Sequence, residues 1–205
     1  MSVEVDVRVR RGEARIACAF HADAGITVLF GPSGAGKTSV LDMIAGLLRP
    51  DAGRIAVNGR VLFDAARGIA LPVWERGAGY VFQDPRLLPH MTVRANLRYG
   101  DPGGAYPERY GAFERLTQVL GIAHLLDRWP RTLSGGEARR VAIGRALLCN
   151  PDFLLDEHLS SLDRARREEI MALIERLRDG LGLPMLLVTH DAGEAERLGN
   201  RVVEI

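Results

Sequence analysis

The eight residues Gly31-Pro32-Ser33-Gly34-Ala35-Gly36-Lys37-Thr38 constrain this chain more than any other stretch. They fit G-x-x-x-x-G-K-[ST], and the flanks suit the motif. Residues 26–30 are a short apolar run of strand character, and Val40, Ile44, Leu47 and Leu48 recur at helical spacing just after. Small residues let the backbone curl until its N–H groups converge, and the helix start adds its positive end at the same point. A nucleoside triphosphate fits such a cradle. Lys37 would reach the β- and γ-phosphates, and the Thr38 hydroxyl would sit on Mg2+, with Ser39 next in the same turn. The plainer reading is a glycine-rich turn joining strand to helix. Composition argues against it: among 27 lysines and arginines there is a single lysine, Lys37. Arginine serves everywhere else, whereas a phosphate cradle needs a compact ammonium on a flexible stem.

At 205 residues the chain is long enough for one domain with a substantial core. A net charge of +1 gives no bulk electrostatic case for nucleic acid. Cys18 and Cys149 match no metal spacing and read as buried small hydrophobes in a reducing compartment. No charge-free apolar run reaches the roughly 18 residues of a membrane span, and no signal-peptide pattern opens the chain, so a cytoplasmic location is expected.

Residues 3–9 alternate valine with charged neighbours, a half-exposed strand, and 15–20 form its return. Residues 54–57 and 60–63 make a hairpin around Asn58-Gly59. Residues 79–82 are a buried strand running into Gln83. From 84 to 149 the pattern changes: Pro85, Pro89, Pro102, Pro107 and Pro130 punctuate short helices, one marked by Phe113, Leu116 and Leu120, and 141–148 close the segment as a helix. Strand (153–155), amphipathic helix (164–181) and strand (185–189) follow, with a late strand at 201–204. The expectation is an α/β core from 1–83 and 150–205, its sheet mainly parallel, with a helical lobe at 84–149 inserted into it.

Two further stretches carry chemistry. Residues 153–157 are an apolar strand ending in Asp156-Glu157; such acids beside a phosphate loop can hold Mg2+ through water and orient an attacking water. Leu133-Ser134-Gly135-Gly136-Glu137 opens a helix. Ser134 and Glu137 alone make a capping box that any helix could use. The two glycines in the first turn weaken a helix, and make sense where a phosphate must approach bare N–H groups.

In this order, the phosphate loop, Gln83, residues 133–137, Asp156-Glu157, Ser161-Leu162-Asp163 and Thr189-His190-Asp191 resemble the nucleotide-binding subunit of an ABC transporter, over essentially the whole chain. Residues 25–38, 79–84, 96–100 and 141–148 resemble, more narrowly, the ATPase of molybdate importers. The resemblance implies a P-loop NTPase core with an antiparallel β subdomain and a helical subdomain. It also implies a head-to-tail homodimer enclosing two ATP molecules with Mg2+. Each ATP is held by the loop of one copy (Gly31 to Ser39) and by Leu133, Ser134, Gly135, Gly136 and Glu137 of the other. By resemblance, Glu157 polarises the attacking water, His190 contacts the γ-phosphate, and Thr38, Gln83 and Asp156 serve the metal. Gln83 also senses the membrane partner, and Asp163 communicates across the dimer. Taken singly, Gln83, Asp163 and His190 have ordinary structural readings; their joint order is what points to function.

The implied partners are membrane-spanning permease subunits and, through them, a substrate-binding protein, with no nucleic acid, at the inner face of the cell membrane. Importers of sulfate, polyamine or ferric iron, or a nucleotide-binding module with impaired hydrolysis, are the alternatives. An ABC ATPase of DNA maintenance would carry a long coiled coil between loop and signature, and no sustained heptads occur there. Three features depart from the family. Residues 151–156 are one apolar residue short, and a one-residue change reverses which side chains face which side of a strand. His158 stands where the family has proline. No aromatic precedes Phe20 to stack on adenine, leaving that place to Arg10 or Arg11. The family also continues into a regulatory oxyanion-binding domain, expected to be absent from residues 1–205.

Overall fold

A computed structural model describes residues 2–100, 113–157 and 164–205. The valine alternation becomes β1 (Val3–Arg11), with Val3, Val5, Val7 and Val9 buried, and it pairs antiparallel with β2 (Ala14–Ala22). Both strands run further than alternation alone suggests, because backbone pairing continues through Arg10↔Arg15 and Arg11↔Ala14 to the tight turn at Gly12. β4 (Ala52–Val57) and β5 (Arg60–Asp64) meet at Asn58-Gly59, whose φ values of 51° and 76° are the left-handed pair a two-residue hairpin requires. With β6 (Ile69–Ala70) these strands form one antiparallel sheet, ordered β2-β1-β4-β5-β6.

The second sheet holds β3 (Ile26–Phe30), β7 (Ala78–Val81), β8 (Phe153–Asp156), β9 (Met185–Thr189) and β10 (Arg201–Glu204). Its order is β10-β3-β9-β8-β7 and every pairing is parallel. The chain leaves this sheet at β7 and returns beside it at β8. In between lie α2 (Val93–Arg98), α3 (Phe113–Val119) and α4 (Gly135–Leu148). Pro102 and Pro107 lie outside the described residues. Cys149 caps the end of α4 and is exposed rather than buried, its thiol donating to the Arg145 carbonyl at 3.3 Å.

Both faces of the parallel sheet are covered along β3, β8 and β9, so these strands are apolar at nearly every position, while edge strand β10 is largely exposed. Ile26, Val28, Leu154, Met185 and Leu187 join one core with α4, α5 (Arg164–Leu181) and α6 (Ala192–Leu198). Leu29, Phe153, Leu155, Leu186 and Val188 join the other, with α1 (Lys37–Ala45) and the antiparallel sheet. Alternation along each strand thus divides the molecule into an α4 side and an α1 side.

The antiparallel sheet is held in register partly by glycine. Gly53 has φ 104°, and a Cβ there would lie 1.9 Å from the Asp6 carbonyl oxygen. Gly59 has φ 76° with open space around it. Gly53→Ala should therefore lower stability by about 2–3 kcal/mol and Gly59→Ala by only about 1, read from urea unfolding at constant m-value. Equal losses would mean the close approach to β1 contributes nothing.

Candidate functional site

β3 ends at Phe30 and the chain turns back on itself before α1 begins at Lys37. Gly34 and Gly36 hold φ of 85° and 102°, and Ala35 donates its N–H to the Pro32 carbonyl at 3.3 Å, closing the loop. Gly36 caps α1 without any side chain accepting from the helix's first N–H groups, and no acidic residue stands in the first turn. The positive end of α1 therefore has no countercharge of its own. Lys37 is buried, its ammonium donating to the carbonyls of Gly31 at 2.8 Å and Pro32 at 2.7 Å, and burial lowers its pKa.

A cavity of about 400 Å³ opens onto this loop, lined by Ser33, Gly34, Gly36, Lys37, Thr38 and Ser39 together with Gln83. Arg11 also lines it and donates to the Ser39 hydroxyl at 3.4 Å, whereas the Arg10 guanidinium turns to the Gly12 carbonyl at 3.1 Å. Of the two arginines, Arg11 is the one at the cavity. A second cavity, of about 450 Å³, adjoins the first through Gln83 and reaches Glu157.

The two acids at the end of β8 part company. Asp156 is 2% exposed, lies on the α4 side and pairs with Arg139, itself 3% exposed; it does not line the phosphate-loop cavity. Burial pushes its carboxyl up to about 6, with Arg139 opposing. Glu157 accepts from the Tyr80 hydroxyl and, at 3.2 Å, from the Gln83 backbone N–H. Tyr80 also lies 3.0 Å from Asp42 on α1. A hydroxyl has one proton to give, so Asp42 and Glu157 compete for it. Burial raises the Asp42 pKa and also raises that of Tyr80, keeping the phenol neutral as a donor.

At the start of α4, the Ser134 hydroxyl accepts from the Glu137 N–H at 3.3 Å and Glu137 accepts from the Ser134 N–H at 2.7 Å. That bond holds the Glu137 carboxyl below its ordinary range. Neither cavity is lined by residues 133–137, and Gly135 is exposed. His190 is exposed at the end of β9, and Asp191 caps α6 by accepting from Glu194 at 3.1 Å. His158, Ser161, Leu162 and Asp163 lie outside the described residues.

Sequence reasoning missed Arg139, Tyr80 and Asp42. Arg139 had a signal: with Ala142, Ile143 and Ala146 it occupies the inward i, i+3, i+4, i+7 stripe of α4, where a guanidinium needs a buried acid. Ser134→Ala should cost about 1 kcal/mol at neutral pH by removing the cap. The depressed Glu137 carboxyl contributes stability above its unfolded range and loses it as pH falls through the folded value. The deficit of Ser134→Ala should thus narrow in acid, as measured by paired denaturation curves.

The chain matches the ABC transporter family over residues 19–160. It is 54% identical over 200 residues to the molybdenum import ATP-binding protein ModC of Brucella abortus (strain 2308), covering 97% of this chain and 55% of that relative. Against ModC of Rhodospirillum rubrum it is 51% identical over 204 residues, covering 99% and 55%. The chain spans about half the length of these curated relatives. Its fold matches cbiO1 from Clostridium perfringens, part of the ABC transporter complex cbiONQ, with TM-score 0.80, 24% identity and coverage of 99% and 83%. It also matches the dimeric post-hydrolysis state of the ATP-binding cassette MJ0796 bound to ADP and Pi, with TM-score 0.75, 27% identity and coverage of 100% and 94%.

Proposed function

The chain belongs to the ABC transporter family, and from that premise we propose that it is the ATP-binding, ATP-hydrolysing subunit of an importer whose cargo is molybdate. One observation carries the ATP reading: the chain's single lysine lies folded over the carbonyls of a glycine loop, beside a helix start with no countercharge, facing a cavity. A triphosphate would draw the ammonium off those carbonyls and take up the N–H groups of Gly34 to Ser39.

Thr38 and Gln83 both line the cavity and offer hard oxygen donors, which fits Mg2+. When bound there, Mg2+ would neutralise charge on the β- and γ-phosphates. Arg11 stands where a guanidinium plane could lie against the base.

Ser134, Gly135 and Gly136 line neither cavity of their own chain, so their helix start is free to close over the γ-phosphate of a second copy. The dimeric neighbour bound to ADP and Pi supports that reading. Hydrolysis would remove the clasped group, which His190 would contact, and let the pair open, with Asp163 communicating the change across the dimer. No helix among the described residues is long and apolar enough to cross a membrane. The opening would thus act through permease subunits, with this chain peripheral at the inner face and a substrate-binding protein reached indirectly. Molybdate is favoured over sulfate, polyamine or ferric iron by the extent of identity to molybdenum import proteins.

Light scattering on the purified chain should show monomers that pair in Mg·ATP. Lys37→Ala, losing about two charge-assisted contacts, should weaken ATP binding by about 10² and abolish pairing. Parental affinity in that variant would remove the loop from the account.

A further inference from the structure

We propose that in this chain Glu157, and not Asp156, is the β8 carboxylate on the metal side of the site, Asp156 being withdrawn to anchor Arg139. The inference rests on the ATP reading above, and it follows from strand parity. Asp156 pairs laterally with Val81 on β7 and Leu187 on β9, and both of those belong to the α4-side core. Laterally paired residues of a sheet point to the same face, so both neighbours place Asp156 on the α4 side. Leu154, two residues earlier, lies there too. Glu157, one step on, falls with Leu155 and Tyr80 on the α1 side.

The α1 side is where the phosphate loop delivers its helix. Tyr80, whose hydroxyl Glu157 accepts, also reaches Asp42, one helical turn beyond Thr38. Glu157 lines the second cavity, which shares Gln83 with the phosphate-loop cavity, and its second oxygen accepts from the N–H of Gln83. Its extra methylene partly offsets the rise of about 3.3 Å that a missing strand residue removes.

Asp156 cannot exchange places with it at small cost. The Arg139 guanidinium donates to Asp156, to the Glu157 carbonyl and, at 2.6 Å, to the Phe82 carbonyl. If Asp156 left, an uncompensated charge would remain buried. The same guanidinium ties the ends of β7 and β8 to the helix that begins at Ser134. The arrangement does not fit the family's expected metal acid at Asp156, and it loads metal contact and water orientation onto one carboxylate.

The test measures ATP affinity calorimetrically in Mg2+ and in EDTA; the ratio isolates the metal's share. Glu157→Gln should reduce that ratio about tenfold while leaving affinity in EDTA unchanged. Asp156→Asn should keep the parental ratio. Where that single change prevents folding, the paired Arg139→Met, Asp156→Leu variant removes both charges together and should also keep it. Inserting one leucine between Leu154 and Leu155 should transfer the dependence to the aspartate. A parental ratio in Glu157→Gln, or a collapsed one in either Asp156 variant, overturns the assignment. No ATP binding in either buffer overturns the ATP reading and this inference together.

Discussion

A parallel sheet buried on both faces leaves each side chain two choices, and strand register makes the choice. In β3, β9 and β8 successive apolar residues alternate between the α4-side core and the α1-side core. The phosphate loop leaves β3 toward α1, so a polar group at a strand's end serves that loop only if its parity carries it to the same side. One residue more or fewer in a strand therefore acts as a switch on chemistry as well as on packing. The buried pair of Arg139 and Asp156 locks the switch in β8, since separating them strands a charge in a place that water does not reach.

The loop itself illustrates preorganisation. Its ammonium is stored against two carbonyls, its helix start lacks a capping side chain, and its glycines occupy left-handed conformations that other residues rarely adopt. Each of these is a mild local liability without an anion and a favourable contact with one. The start of α4 is built differently: Ser134 and Glu137 satisfy two of its N–H groups internally, while exposed Gly135 leaves the backbone approachable. In the proposed function, the uncapped start of α1 would hold a phosphate within its own chain. The start of α4 is a finished, stable tip, which in the same proposal would meet a ligand held by a second copy.

Much of this was legible in the amino-acid order. Valine alternation announced β1, Asn58-Gly59 announced the hairpin, and the loop motif with its lone lysine announced the cradle. The helical segment between β7 and β8 showed in its proline punctuation, though its return to the neighbouring strand did not. The face of β8 was not legible, for a physical reason. A strand covered on both sides is apolar throughout, so Phe153-Leu154-Leu155 carries no alternation from which a face could be read. The missing residue flagged a conflict without resolving it; the resolution lay on another element, in the inward stripe of α4 that contains Arg139. The choice of Arg11 over Arg10 was hidden likewise, because adjacent residues of an edge hairpin look alike until the pairing with β2 is known.

The most direct measurement is a crystal structure of the chain with Mg·ADP or a non-hydrolysable triphosphate, read at the end of β8. The account predicts the Glu157 carboxylate directed at the metal's coordination sphere, with Asp156 still clamped by Arg139 beneath α4. An aspartate beside the metal, and a guanidinium displaced from it, would contradict the account at its root.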